Sequence, residues 1–249
     1  MITARIIPYF LPLAILAASY SPSFAANDFI DAILAMKANQ NEKALRLFRA
    51  SADRGNAKSQ FWLGSIYEEG KLVKKDYRTA AMWFRKSANQ GNADAQYNLS
   101  TMLISGTGGR VNYKEAAGWL GKAVSQGHSM AMADLGSLHQ IGRGVRKSYK
   151  RAIELFQMAA NKCNAVGQVN LGRSYVTGRG VRQNLTLAYK WFHVAASQGL
   201  GSEYIQGKEE GKSDRDYLFK SLPSSQVKNA LRLAEGPIKK CLQWRINRL

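Results

Sequence analysis

The chain has 249 residues, of which 45% are hydrophobic, and its 36 Lys and Arg against 17 Asp and Glu give a net charge of +19. This is the composition of an ordinary folded protein long enough to bury one or two cores, not of a disordered or low-complexity chain. The charge says nothing about fold, but it points to acidic partners: nucleic acid, anionic lipid, or an acidic polymer or protein.

The N-terminus narrows that choice. Arg5 precedes an apolar stretch from Ile6 to Ala18, and Ser23-Phe24-Ala25 then places small residues at the positions a signal peptidase reads, before Ala26. This is the layout of a secretory signal peptide, too short and too interrupted by Pro12 to be a comfortable membrane span. The expectation is cleavage after Ala25, leaving a mature protein of charge +18, because residues 1–25 carry Arg5 and no acid. An exported protein, periplasmic or secreted, has little access to nucleic acid, so that partner is set aside. Export also permits disulfides. The two cysteines, Cys163 and Cys241, fall in distant units of the array described next, so they are expected to stay unbridged.

Between Pro22 and Pro223 there is no proline, which suits uninterrupted helices. Residues 41–56 match the second half of a repeat, and residues 28–38 supply its partner helix. Four complete units of 36 residues follow without insertion or deletion, at 57–92, 93–128, 129–164 and 165–200. In each unit, positions 1, 4, 7, 8 and 11 make a small or apolar stripe at helical spacing, which defines helix A. Its position 8 is Gly64, Ser100, Gly136 or Gly172. Glycine costs about 1 kcal/mol in a helix interior, so its recurrence predicts a close neighbouring helix. Position 14 is always glycine (70, 106, 142, 178), the residue expected just past a helix end. Position 20 is Asp76, Asn112, Ser148 or Asn184, all strong N-caps, so helix B starts at position 21. Its buried stripe includes Trp83-Phe84, Trp119-Leu120, Leu155-Phe156 and Trp191-Phe192. After residue 200 the pattern decays into a degenerate helix at 201–220 and one or two capping helices at 224–248.

The columns Ala-x-x-Gln-x-x-Leu-Gly-x-x-Tyr-x-x-Gly-x-Gly-Val, then Ala-x-x-Trp-Phe and Ala-Ala-x-x-Gly, resemble the Sel-one-like repeat, a relative of the tetratricopeptide repeat. Residues 165–199 match nearly throughout, and the resemblance covers about residues 28–205. It implies an all-α, right-handed α-solenoid of stacked helical hairpins with C-terminal capping helices. The organisation is then a signal peptide (1–25), an N-terminal half repeat (26–56), the four repeats, and a degenerate repeat with a helical cap (201–249). The resemblance also implies scaffolding rather than catalysis: exported bacterial members look like envelope adaptors, regulators of signalling or exopolysaccharide synthesis, or host-contact factors.

The chemistry-bearing residues agree with a non-enzymatic reading. His128, His139 and His193 lie at three different unit positions without metal-ligand spacing, so neither metal nor cofactor is expected. Cysteine-rich members of the family have been named as β-lactamase-like, but they carry paired cysteines in each repeat, and this chain does not. Ser225-Gln-Val-Lys228 matches S-x-x-K, yet it opens a C-terminal helix, where a serine serves as cap. The feature that departs from repeat logic is charge. Position 18 is basic in every unit (Lys74, Arg110, Arg146, Arg182), and position 15 adds Lys71, Arg143 and Arg179. All lie in the loops between helix A and helix B, so stacking should align them along one edge. The outer face of helix A offers a second surface, with Phe61, Trp62 and Tyr97 at one end, Val169 and Arg173 at the other. The expected function is a monomeric scaffold that binds an acidic protein segment or an anionic polysaccharide.

Overall fold

The computed structural model describes residues 22–197 and 205–246. The apolar stretch Ile6–Ala18 lies outside the described residues. Twelve helices and no strand are found among them. Helices α1 (Pro22–Lys37) and α2 (Asn41–Asp53) form the N-terminal pair. The four repeats supply α3 (Ala57–Glu69) and α4 (Tyr77–Asn89), α5 (Ala93–Ser105) and α6 (Tyr113–Ser125), α7 (Ser129–Ile141) and α8 (Tyr149–Asn161), and α9 (Ala165–Thr177) and α10 (Leu185–Ala196). Each helix packs on its chain neighbours in succession, the arrangement of a helical solenoid. Then come α11 (Ile205–Phe219) and α12 (Ser224–Ile246).

The caps lie in the predicted columns. Side-chain oxygens of Asp76, Asn112, Ser148 and Asn184 accept backbone N–H bonds at the start of each helix B. Gly70, Gly106, Gly142 and Gly178 close each helix A with φ of 70–77°, a region where a Cβ is costly. A third cap column, position 36, begins the next helix A: Asn56, Asn92 and Asn164 accept through their amide oxygen, and His128 through Nδ1.

The helix neighbour that position 8 anticipates is a phenyl ring. A Cβ on Gly64, Gly136 or Gly172 would stand 2.5–2.6 Å from Phe84, Phe156 or Phe192 of the same hairpin. The second repeat has Ser100 and Leu120 in these places, so a smaller ring position accompanies a larger helix A residue. A second coupling holds neighbouring repeats together. Gln60 and Gln96 donate to the Ala52 and Ala88 carbonyls of the preceding unit, and accept from Gln90 and Gln126 of their own repeat. The third repeat has Met132 and Lys162 at those columns, so both partners change together.

The two cysteines do not stay apart as the repeat columns suggest. Cys163 and Cys241 form a disulfide, with Cα atoms 5.4 Å apart. The premise that failed was that the cap would continue the stack away from the third repeat. Instead α12 turns back and packs on α10. Its Ala234 and Ile238 join the core made by Phe156, Leu171, Trp191 and Val194, which carries Cys241 to the end of α8. Cys163 takes φ +60° in a column where Gly55, Gly91 and Gly127 take +84° to +93°. The left-handed turn is therefore kept at a non-glycine residue, whose side chain is committed to the bridge.

Candidate partner-binding surface

The stacking of the A–B loops is fixed by specific contacts. Position 16 is Gly108, Gly144 or Gly180, each with φ of 73–81°. Each lies against the backbone of Tyr77, Tyr113 or Tyr149, the first residue of helix B in the preceding repeat, so closely that no Cβ would fit. The first loop has no such tyrosine before it, and there position 16 is Leu72, packed on the N-terminal core. The last helix B belongs to the last recognisable repeat and begins with Leu185, packed on the C-terminal core. One edge of the molecule is thus built from successive loops, each seated on the repeat before.

All seven loop cations of the sequence expectation are exposed. Those at position 15 are oriented by the tyrosines: Arg143 lies 5.2 Å from the centre of the Tyr113 ring and donates to its hydroxyl at 3.0 Å, and Arg179 lies 5.9 Å from Tyr149. Lys71 pairs with Glu69 at 2.6 Å. Lys74, Arg110, Arg146 and Arg182 make no ion pair among the described residues. The edge therefore carries a row of unpaired cations at one-repeat intervals.

The second predicted surface is largely occupied from within. Phe61 packs 5.8 Å from Phe84, and Trp62 stacks on Phe48. Tyr97 stacks on His128 at 4.7 Å. Burial, then the charge of Asp134 and the hydrogen bond to it, push the Tyr97 hydroxyl up, while burial pushes the Asp134 carboxyl up to about 6. The other end of that face is covered: Val169 is fully buried, and Arg173 holds α11 through Glu210 at 2.9 Å and Asp214 at 2.7 Å.

A cleft of about 420 Å³ opens on the loop edge between the first and second repeats. Ala81, Leu99, Met102 and Leu103 form its apolar floor, and Arg85, Arg110, Glu115 and the backbone of Gly108-Gly109 line its rim. Glu115 is saturated: it pairs with Arg85 and accepts from Asn112 and Trp119 at 3.2 Å each. The hydrogen bond from Arg85 is the first cause holding its carboxyl below the usual range. The sequence reading missed this cleft, although its signal is visible when the repeats are aligned. Position 11 is Tyr, Leu, His, Tyr and position 17 is Val, Gly, Val, Val, so the second repeat alone lacks bulk at both.

Among the described residues no group of three His, Cys, Asp or Glu is placed to hold a metal, and no helix is long and apolar enough to cross a membrane. Ser225 and Lys228 are exposed on α12, where they line an open depression with Asn229, Leu231, Arg232 and Glu235.

The Sel1 repeat pattern matches residues 35–56, 57–92, 93–128, 129–162 and 165–200. The chain belongs to the Sel1 repeat family. Sel1 repeat proteins generally mediate protein–protein interaction and are typically non-catalytic. Among solved structures, the chain is similar to a Sel1 repeat protein from Oxalobacter formigenes, with 28% identity and a TM-score of 0.68, covering 81% of this chain and 89% of that one. It is also similar to a protective antigen of uropathogenic Escherichia coli displaying an SLR fold, with 28% identity and a TM-score of 0.53. That match covers 83% of this chain and 51% of the antigen, so the chain spans about half the antigen's length. No curated protein matches the chain.

Proposed function

We propose that this Sel1 repeat protein is an exported, non-enzymatic scaffold that holds an acidic protein segment along its A–B loop edge. The observation that carries the reading is the row Lys74, Arg110, Arg146 and Arg182, exposed and without ion pairs among the described residues, on loops locked in register by the glycine–tyrosine contacts. A fixed row of like charges raises the local concentration of an anionic partner and favours one that spans several repeats. Export is supported by the leader-like segment at residues 1–25 and by the Cys163–Cys241 bridge, since such bonds persist in oxidising compartments. The mature protein then starts at Ala26 and acts in the periplasm or outside the cell.

The test is binding of a Glu-rich peptide by wild type and by the triple charge reversal of Arg110, Arg146 and Arg182 to Glu. Wild-type binding should be strong at low salt and weak at high salt, because exposed charges are screened. The triple variant should lose the low-salt binding while keeping its helical content by circular dichroism. Equal binding by both proteins at low salt would overturn the reading.

A further inference from the structure

We propose that the cleft between the first and second repeats is an anchor pocket, which takes one apolar side chain of an acidic polypeptide whose neighbouring carboxylate pairs with Arg110. The proposal rests on the reading of the loop edge and adds what that edge selects. Charge alone does not distinguish one acidic chain from another. A concave apolar site with few polar groups at its mouth does, because it rewards a particular side chain at one register.

Three observations converge on the pocket. First, it lies on the loop edge itself, because its rim includes Arg110 and the Gly108-Gly109 backbone. Second, it is a departure from the repeat. Where the other repeats have Tyr or His at position 11 and Val at position 17, this one has Leu103 and Gly109, and a Cβ added at Gly109 meets nothing within 4 Å. Third, its charges are asymmetric. Glu115 is neutralised by Arg85 and two further donors, which leaves Arg110 as the unpaired ion at the mouth. The combination is an apolar floor under one free cation. It matches an aliphatic or aromatic residue adjacent to Asp or Glu.

The same geometry supplies the test. Gly109 is not among the positive-φ glycines and a Cβ there meets no atom within 4 Å, so Gly109→Val, which restores the repeat's usual residue, should be accepted by the backbone and narrow the cleft. Leu103→Tyr fills it from the other side. The probes are a short Glu-rich peptide with one central Leu and the same peptide with Gly there, measured by fluorescence anisotropy at low salt, with thermal melts to show that each variant is folded. Wild type should prefer the Leu peptide by about tenfold, the scale of one buried apolar group. Both filling variants should lose that preference while still binding both peptides in a salt-dependent way. Equal wild-type affinity for the two peptides, or a preference that survives filling, would overturn the pocket and leave the basic edge standing. Failure of wild type to bind either peptide at low salt would sink the edge reading together with the pocket. Binding of polygalacturonate but of neither peptide would overturn the pocket and assign the edge to an anionic polysaccharide instead.

Discussion

In the fourth repeat, Tyr175 and Val181 occupy columns 11 and 17, α11 is tied across α9 by Arg173, and α12 is clamped to the end of the third repeat by a disulfide. In the second repeat, Leu103 and Gly109 stand in those columns, and an open cleft of about 420 Å³ results. Both repeats share one set of caps and one helical register, so the difference lies in a few side chains and not in the backbone plan. A solenoid must seal its exposed last repeat, which otherwise presents an apolar face to water. An internal repeat, flanked on both sides, tolerates missing bulk. Loss of packing at the second repeat is therefore survivable there and would not be at the fourth.

The largest expected effect comes from breaking the seal. Cys241→Ser should lower stability by about 2–5 kcal/mol, the usual cost of removing a native disulfide, read as a drop in the melting temperature that reductant reproduces in wild type. Cys163→Gly should cost about 1–2 kcal/mol less than Cys241→Ser, because glycine relieves the left-handed backbone at φ +60°. Equal losses in the two variants would mean that the turn relaxes once the bridge is gone.

The second prediction exchanges the packing of one repeat for that of another. Leu120→Phe places a ring against Ser100 and should destabilise by about 1–3 kcal/mol through overpacking. Adding Ser100→Gly recreates the Gly–Phe pair of the other repeats and should recover most of that loss. A double-mutant cycle in chemical denaturation reads the coupling, and additive effects would refute the pairing.

Much of this was legible because each column repeats four times. The cap residues, the closing glycines and the start of helix B follow from local chemistry that tertiary structure does not override. The glycine at position 8 announced a close neighbour but not which one. Its identity lies in the alternation of Gly–Phe with Ser–Leu, which only comparison between units reveals. His128 looked like a stray histidine, yet column 36 reads Asn, Asn, His, Asn, and an imidazole nitrogen caps as an amide oxygen does. The return of α12 was not legible, since column logic stops at residue 200 and nothing local says that a cap reverses direction. Arg173 resembled a free surface cation for the same reason: its partners, Glu210 and Asp214, lie beyond the last recognisable column.

A smaller effect concerns the junction of the second and third repeats. Asp134 is half-buried beside Tyr97 and His128, and its carboxyl is raised from 3.8 to about 6. The folded state therefore favours the protonated form. The contribution of Asp134 is fully present below pH 3.8 and is lost as pH rises through 6. Asp134→Asn should match wild type at the acid end and exceed it by about 1–3 kcal/mol above pH 6. A gap that does not change with pH would show that ionisation is not responsible. The smallest effect is that of Gly109→Val on stability. It should be neutral or stabilising by less than about 1 kcal/mol, since the site is open and the substitution restricts the unfolded chain.

The most direct measurement is amide chemical-shift mapping of the disulfide-bonded protein titrated with the Leu-containing Glu-rich peptide. The account predicts large shifts at residues 107–112 and 81–85, around the cleft, with smaller ones at the loops carrying Arg146 and Arg182. It predicts little change in α11 and α12. Shifts concentrated instead around Phe61 and Tyr97, or along α12, would contradict it and move the binding surface off the loop edge.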